Sequence, residues 1–138
     1  MSRRLAREAA FKALFQIDLG KSTTEQALRY VLQGLNLTES EARFAREIVE
    51  GTYLHRAEVD RVIEKYLVHW ELNRLCVVDR NLLRLALFEI LYRPDIPDAV
   101  AINESLELAK KYGSSEEAVA FINGLLDRAT AEFSGREQ

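Results

Sequence analysis

The chain has 138 residues, 48% of them hydrophobic and 30% charged, with 19 basic and 22 acidic side chains for a formal net charge of -3. That is the composition of one globular domain burying about two-thirds of its unfolded surface, which excludes a disordered chain. The acidic balance excludes a general nucleic-acid coat protein, and no run approaches the ~20 apolar residues of a membrane span. The N-terminus lacks the apolar core of a signal peptide, and the lone cysteine, Cys76, cannot form an internal disulfide. A soluble cytosolic (cytoplasmic) protein is expected.

The first element is the most informative. Residues 1–15, MSRRLAREAAFKALF, hold Arg3, Arg4, Arg7 and Lys12 against a single acid, Glu8, leaving 15 bases and 21 acids for the rest of the chain. A basic end on an acidic body points to a polyanionic partner that touches one end only. The apolar line Ala6, Ala10, Leu14 and Ile17, with Phe11 and Phe15 beside it, predicts a helix from about Ser2 to Leu19 that stops at Gly20 in the left-handed region. Guanidinium groups fixed on such a helix hold RNA phosphates, and the aromatics stack a splayed base. The blander alternative is a solvated face on an ordinary first helix.

Ser22 to Glu25 has capping-box spacing and opens a second helix, with Ala27, Leu28, Val31 and Leu32 on its buried face, ending at Gly34. Thr38 to Glu41 repeats the spacing. The line Ala42, Ala45, Ile48, Val49, Thr52 and Tyr53 continues through Val59, Val62, Ile63, Tyr66 and Leu67. A single helix of that length is unusual in a compact domain, so a break is expected at His55 to Ala57. Val68 to Cys76, with Trp70, Leu72 and Leu75, reads as a buried connector between two halves.

Asp79 is the expected N-cap of the next helix, where Leu82, Leu83, Leu85, Ala86, Leu87, Ile90 and Leu91 wrap more than one face. That breadth places the helix centrally, with apolar surface left for a partner or a second copy of the chain. Leu87 and Leu106 are expected in the core. Pro94 ends the helix, Asp98 caps Ala99 to Tyr112, and Gly113 is the stop. Ser114 to Glu117 is a third capping-box spacing, opening a last helix that runs to about Phe133 before a frayed tail. Strand patterning is absent, so the fold class is all-α.

Little in the chain suggests chemistry. His55 and His69 have no companions at metal-ligand spacing, and Cys76 in its apolar run reads as a small core residue. There is no nucleophile elbow, phosphate-binding loop or dinucleotide fingerprint. Carboxylate pairs such as Glu47 with Glu50, or Glu104 with Glu107, have the spacing of any solvated helix face. No enzyme activity, metal or cofactor is expected. Asn103, early in its helix, serves either backbone satisfaction or function. Gly124, inside a helix at a cost of about 1 kcal/mol relative to alanine, marks close approach of a neighbouring backbone or of a ligand.

Four segments together carry a resemblance: RRLAREAAFKALF (3–15), LLRLALFEIL (82–91), VAINESLELAK (100–110) and FINGLLD (121–127). In this order and spacing they resemble the transcription antitermination factor NusB family over nearly the full chain. The resemblance implies about seven helices in two packed bundles, here about 1–67 and 68–133, without a catalytic site. It implies binding to the boxA element of nascent ribosomal RNA (rRNA), as a heterodimer with NusE, a small-subunit ribosomal protein, within an elongating RNA polymerase complex.

Carried onto this chain, the resemblance assigns Arg3, Arg4, Arg7 and Lys12 to phosphates and places Phe15 close by. The Tyr112-Gly113-Ser114 turn, Phe121 and Asn123 are expected near the same face. Asp79, Arg80, Leu83, Arg84 and Leu87 would face NusE or, when free, a second copy in a homodimer. The basic run before the first helix is shorter than the family pattern, which lowers the RNA affinity expected of the isolated chain. Two other classes compete. One is the helical RNA-binding domain of a ribosomal RNA cytosine methyltransferase, not expected without a cofactor-binding domain. The other is a helical protein–protein adaptor that does not bind RNA directly.

Overall fold

The computed structural model describes residues 3–20, 22–67 and 71–133. Within them lie seven α-helices and no strand: α1 (Arg4–Asp18), α2 (Thr24–Gln33), α3 (Glu39–Leu54), α4 (Arg56–Lys65), α5 (Val77–Tyr92), α6 (Asp98–Lys111) and α7 (Glu116–Phe133). A short 3₁₀ turn, Leu72–Arg74, precedes α5. Ser2, Val68, His69, Trp70 and the tail from Ser134 lie outside the described residues, so the expectations placed on them are not addressed.

Helix α5 is the axis. All ten residues from Asn81 to Ile90 are buried, because α1, α3, α4, α6 and α7 pack around it. Such a helix is apolar over most of its surface, which the broad leucine arc provides, and its buried Asn81, Arg84 and Glu89 are paired. The same fact corrects the partner-face expectation: Leu83 and Leu87 are fully buried in the core and are not available to NusE or a second copy. Leu106 is half-buried against that core, and Tyr53, expected on the apolar line, is exposed. Helix α1 packs on α2, α3, α5 and α6, so the basic N-terminal helix joins the first half of the chain to the second.

The predicted breaks stand where expected. His55 ends α3 and begins α4, Gly20 has φ 73°, and Gly113 has φ 89°. At the latter, Ser114 N–H donates to the Ala109 carbonyl at 2.9 Å and Gly113 N–H to that of Lys110 at 3.3 Å, the paired closure that suits glycine.

Four caps are displaced from the predicted residue. Thr23, with Gln26, forms the capping box of α2 rather than Ser22 with Glu25, whereas Thr38 with Glu41 is as predicted. Cys76, not Asp79, caps α5: its Sγ accepts from the Asp79 N–H at 3.5 Å, so the cysteine is exposed rather than a core residue. Pro97, not Asp98, precedes α6, and Ser115, not Ser114, accepts from the Ala118 N–H at the start of α7.

The connector is only partly buried, with Leu72 in the core and Glu71, Asn73 and Arg74 exposed. Gly124 faces open space, and no atom lies within 4 Å of an added Cβ. Close approach occurs at Gly51 instead, where an added Cβ would stand 2.2 Å from Cζ of Phe88. A side chain there would displace the Phe88 ring from its place between α3 and α5, or the helix itself.

Candidate nucleic-acid interface

Helix α1 starts without a side-chain cap and without an acidic residue in its first turn. Arginines at this positive end of the helix dipole are unfavourable unless anions compensate them. The fold supplies carboxylates from distant segments, and it treats each arginine differently.

Arg7 is interior. Its Nε donates to both oxygens of Glu89 at 3.1 Å and its Nη2 donates at 2.7 Å, with side chains only 5% and 1% exposed. Burial pushes the Glu89 carboxyl above its ordinary range, against the pull of the Arg7 guanidinium. The phosphate contact expected of Arg7 is therefore corrected, since an RNA chain could reach this guanidinium only by opening the core.

Phe44 of α3 supports the cluster from below. The guanidinium carbons of Arg3, Arg7 and Arg93 lie 4.3, 5.3 and 5.4 Å from its ring centre. Arg3 reaches Asp95 at 4.0 Å, and Arg93 pairs with Asp95 at 3.0 Å and Glu47 at 3.4 Å. Arg4 is 59% exposed and donates from Nε and Nη2 to the two oxygens of Glu104 on α6, at 3.2 and 2.8 Å. The hydrogen bonds from Arg4 hold the Glu104 carboxyl below its ordinary range.

The next turn of α1 is tied to the end of α6. Glu8 accepts from Lys111 at 2.8 Å and from the Tyr112 hydroxyl. Burial opposes the charge on Glu8, but the bonds from Lys111 and Tyr112 outweigh it and lower its pKa. Burial and the Glu8 carboxylate both push the Tyr112 phenol up, so it remains a neutral donor.

Beyond this tie the surface opens into a groove of about 680 Å³ between α1 and α2, whose walls include Lys12, Phe15, Tyr30, Leu35, Val78 and Tyr112. Phe11 centres the aromatic wall, 5.0 Å from Tyr112 and 6.2 Å from Phe15. Lys12 makes no ion pair among the described residues. A cation beside aromatic faces at a concave surface suits phosphate contact with base stacking. Lys12, Phe15 and Tyr112 are thus brought together as expected. Ser114 stands apart and donates to Asp79 at 2.7 Å, which joins the α6–α7 turn to the start of α5. Phe121 and Asn123 do not line the groove. Two positions apart on α7, they diverge, with Phe121 half-buried against the core and Asn123 exposed.

Arg80 and Arg84, expected on a partner face, are engaged inward. Arg80 donates to Asp18 at 2.8 Å, and Arg84 donates to Asp60 at 2.8 and 3.1 Å and lies 3.2 Å from Asp18. Asp18 also accepts from Asn81, so these groups fasten the end of α1 to α5 and α4. Burial opposes the Asp18 charge, but Arg80 and Asn81 outweigh it and lower its pKa. Of the predicted partner residues, Asp79 and Arg80 keep partial exposure in the first turn of α5, with the Arg80 guanidinium turned to Asp18.

Sequence reasoning missed Glu104, Phe44 and Glu89 as members of the arginine cluster. Each lies on another helix, and the local sequence offers only the solvated-face spacing of Glu104 with Glu107. Exposed Asn103 makes no side-chain hydrogen bond among the described residues.

The model of the NusB family matches residues 4–131. The transcription antitermination protein NusB of Myxococcus xanthus is 47% identical over 131 residues, covering 92% of this chain and 93% of that protein. The structure of NusB from T. maritima superposes with a TM-score of 0.89 at 41% identity, covering 99% of this chain and 96% of that one. A crystal structure of the antitermination factors NusB and NusE in complex with dsRNA contains a chain 30% identical to this one, with a TM-score of 0.83 and coverage of 91% and 93%. Matched from its first helix to its last and superposed over nearly its whole length, the chain belongs to the NusB family.

Proposed function

We propose that this protein is a transcription antitermination factor that binds the boxA element of nascent ribosomal RNA together with NusE and joins the elongating RNA polymerase complex. The observation that carries the reading is the groove that brings Lys12 and Phe15 of α1 together with Tyr112 at the end of α6, with the exposed Arg3 and Arg4 at the start of the same helix. Family membership and similarity to the NusB chain of the NusB–NusE–dsRNA complex support it.

In this reading Arg3, Arg4 and Lys12 neutralise phosphates, while Arg7 anchors the helix that presents them. Phe15 and Tyr112 provide aromatic faces for an unstacked base, and of the other expected contacts the exposed Asn123 alone keeps its side chain open to a base edge. NusE docks at the start of α5 around Asp79, a residue tied by hydrogen bond to Ser114 of the α6–α7 turn. The protein acts by binding alone, in the cytoplasm where transcription occurs, and no described helix is long and apolar enough to cross a membrane.

The test is titration of a short boxA RNA with the protein alone and with NusE. Weak binding alone and markedly tighter binding with NusE are expected. Three phosphate contacts on single-stranded RNA give a slope of log K against log salt of about -2. An adaptor that binds only protein would show NusE binding with no RNA dependence, and ribonuclease would leave its complexes from lysate unchanged.

A further inference from the structure

We propose that Glu104 is an internal competitor for RNA, its carboxylate occupying the edge of the Arg4 guanidinium that a phosphate would take. The inference rests on the RNA reading above. A bidentate carboxylate and a bidentate phosphate use the same fork of parallel N–H donors. Glu104 fills that fork with both of its oxygens, at 3.2 and 2.8 Å.

Two features make this pair exchangeable where its neighbour is not. Arg4 is 59% exposed, so a phosphate reaches it from solvent, whereas Arg7 and Glu89 are enclosed. Glu104 also borders a hollow of about 270 Å³ lined by Arg3, Arg7, Asp95 and Val100, which leaves room for an incoming anion beside the pair. Throughout this end the fold has matched guanidinium to carboxylate: Arg3 to Asp95, Arg4 to Glu104, Arg7 to Glu89, and Arg93 to Asp95 and Glu47. The basic cluster is therefore largely neutralised before RNA arrives, and Arg4–Glu104 is its most open tight pair. Glu107, one turn further along α6, pairs instead with Lys110 of its own helix at 3.5 Å and provides a control of equal charge.

The experiment compares boxA RNA binding by the wild-type chain, Glu104→Gln, Glu107→Gln, Arg4→Ala and the Arg4→Ala/Glu104→Gln double variant across a salt series, with circular dichroism confirming the fold of each. Glu104→Gln should bind about three- to tenfold more tightly than wild type, as expected for removing a competing charge at the rim of an interface. Its salt slope should stay close to that of wild type, because Arg4 meets the same one phosphate in both. Glu107→Gln should change affinity by less than about twofold, and the gain from Glu104→Gln should vanish in the Arg4→Ala background. Unchanged or weaker binding by a folded Glu104→Gln overturns the inference while leaving the RNA reading in place. So does an equal gain from Glu107→Gln, or a gain that survives without Arg4. RNA binding absent from wild type and Glu104→Gln alike, with and without NusE, overturns the RNA reading itself and this inference with it.

Discussion

Three residues apart on α1, Arg4 and Arg7 each grip a carboxylate from a distant helix, and the two pairs have opposite consequences. Arg7–Glu89 is sealed between α1 and α5, while Arg4–Glu104 lies open at the edge of α6. In the first, both charges have lost their water, so neither tolerates the removal of the other. In the second, the guanidinium is 59% exposed and the carboxylate 15%, so water reaches the pair and screens it far more than the first. The same residue type, on the same helix and with the same kind of partner, is sealed architecture at one position and faces solvent at the other.

The largest test of this contrast is stability. Arg7→Ala should lower the free energy of unfolding by about 3–5 kcal/mol in urea titration, because it leaves Glu89 charged and unpaired in the interior. Arg4→Ala should leave the unfolding midpoint nearly unchanged. Equal effects from the two substitutions would erase the distinction.

The pH dependence of stability should separate the pairs by sign. The Glu104 pKa is lowered by its bond to Arg4, so its contribution is present above the ordinary 4.5 and is lost as pH falls through the lowered value. The Glu89 pKa is raised by burial, so its contribution is fully present below 4.5 and is lost as pH rises through the raised value. Thermal unfolding scanned across pH should therefore show Glu104→Gln flattening the acid limb and Glu89→Gln flattening the decline above it. A shift in the same direction from both variants would contradict the assigned environments.

The smallest expected effect is on salt dependence. Arg4→Ala should flatten the slope of log K for boxA RNA by about 0.7, one phosphate contact, with similar loss on matched and mismatched RNAs. An unaltered slope would make Arg4 a solvated side chain and leave phosphate contact to Arg3 and Lys12.

Much of the helix plan was legible because periodicity and stop residues are local. The break at His55, the ends at Gly20 and Gly113, and the central α5 all followed from neighbours in sequence. The caps slipped by one to three residues where similar candidates are adjacent. Ser22 and Thr23 both suit an N-cap, as do Ser114 and Ser115, and the phase of the packed helix decides between them. The grouping of the candidate site was legible at Lys12, Phe15 and Tyr112, which line one groove, and the exposure of Arg4 was as well. It was not legible at Arg7, Arg80 or Arg84, whose carboxylates lie at Glu89, Asp18 and Asp60, between 24 and 82 positions away. The glycines show the same limit. Gly124 drew attention by lying in a helix, yet Gly51 is the one that a neighbouring ring presses upon.

The long reach of the α1 ion pairs sets a timetable for synthesis. Glu89 follows Arg7 by 82 residues and Glu104 follows Arg4 by 100. At ribosomal elongation rates of about 5–20 residues per second, the first helix waits roughly 4–20 s for these carboxylates to be made. During that interval its arginines are a bare cationic stretch on the nascent chain, and its apolar side has only α2 and α3 to cover it. Closing loops of this length comes late and is entropically costly. Helix α1 is thus translated well before its carboxylate partners and is among the last elements to be locked in place.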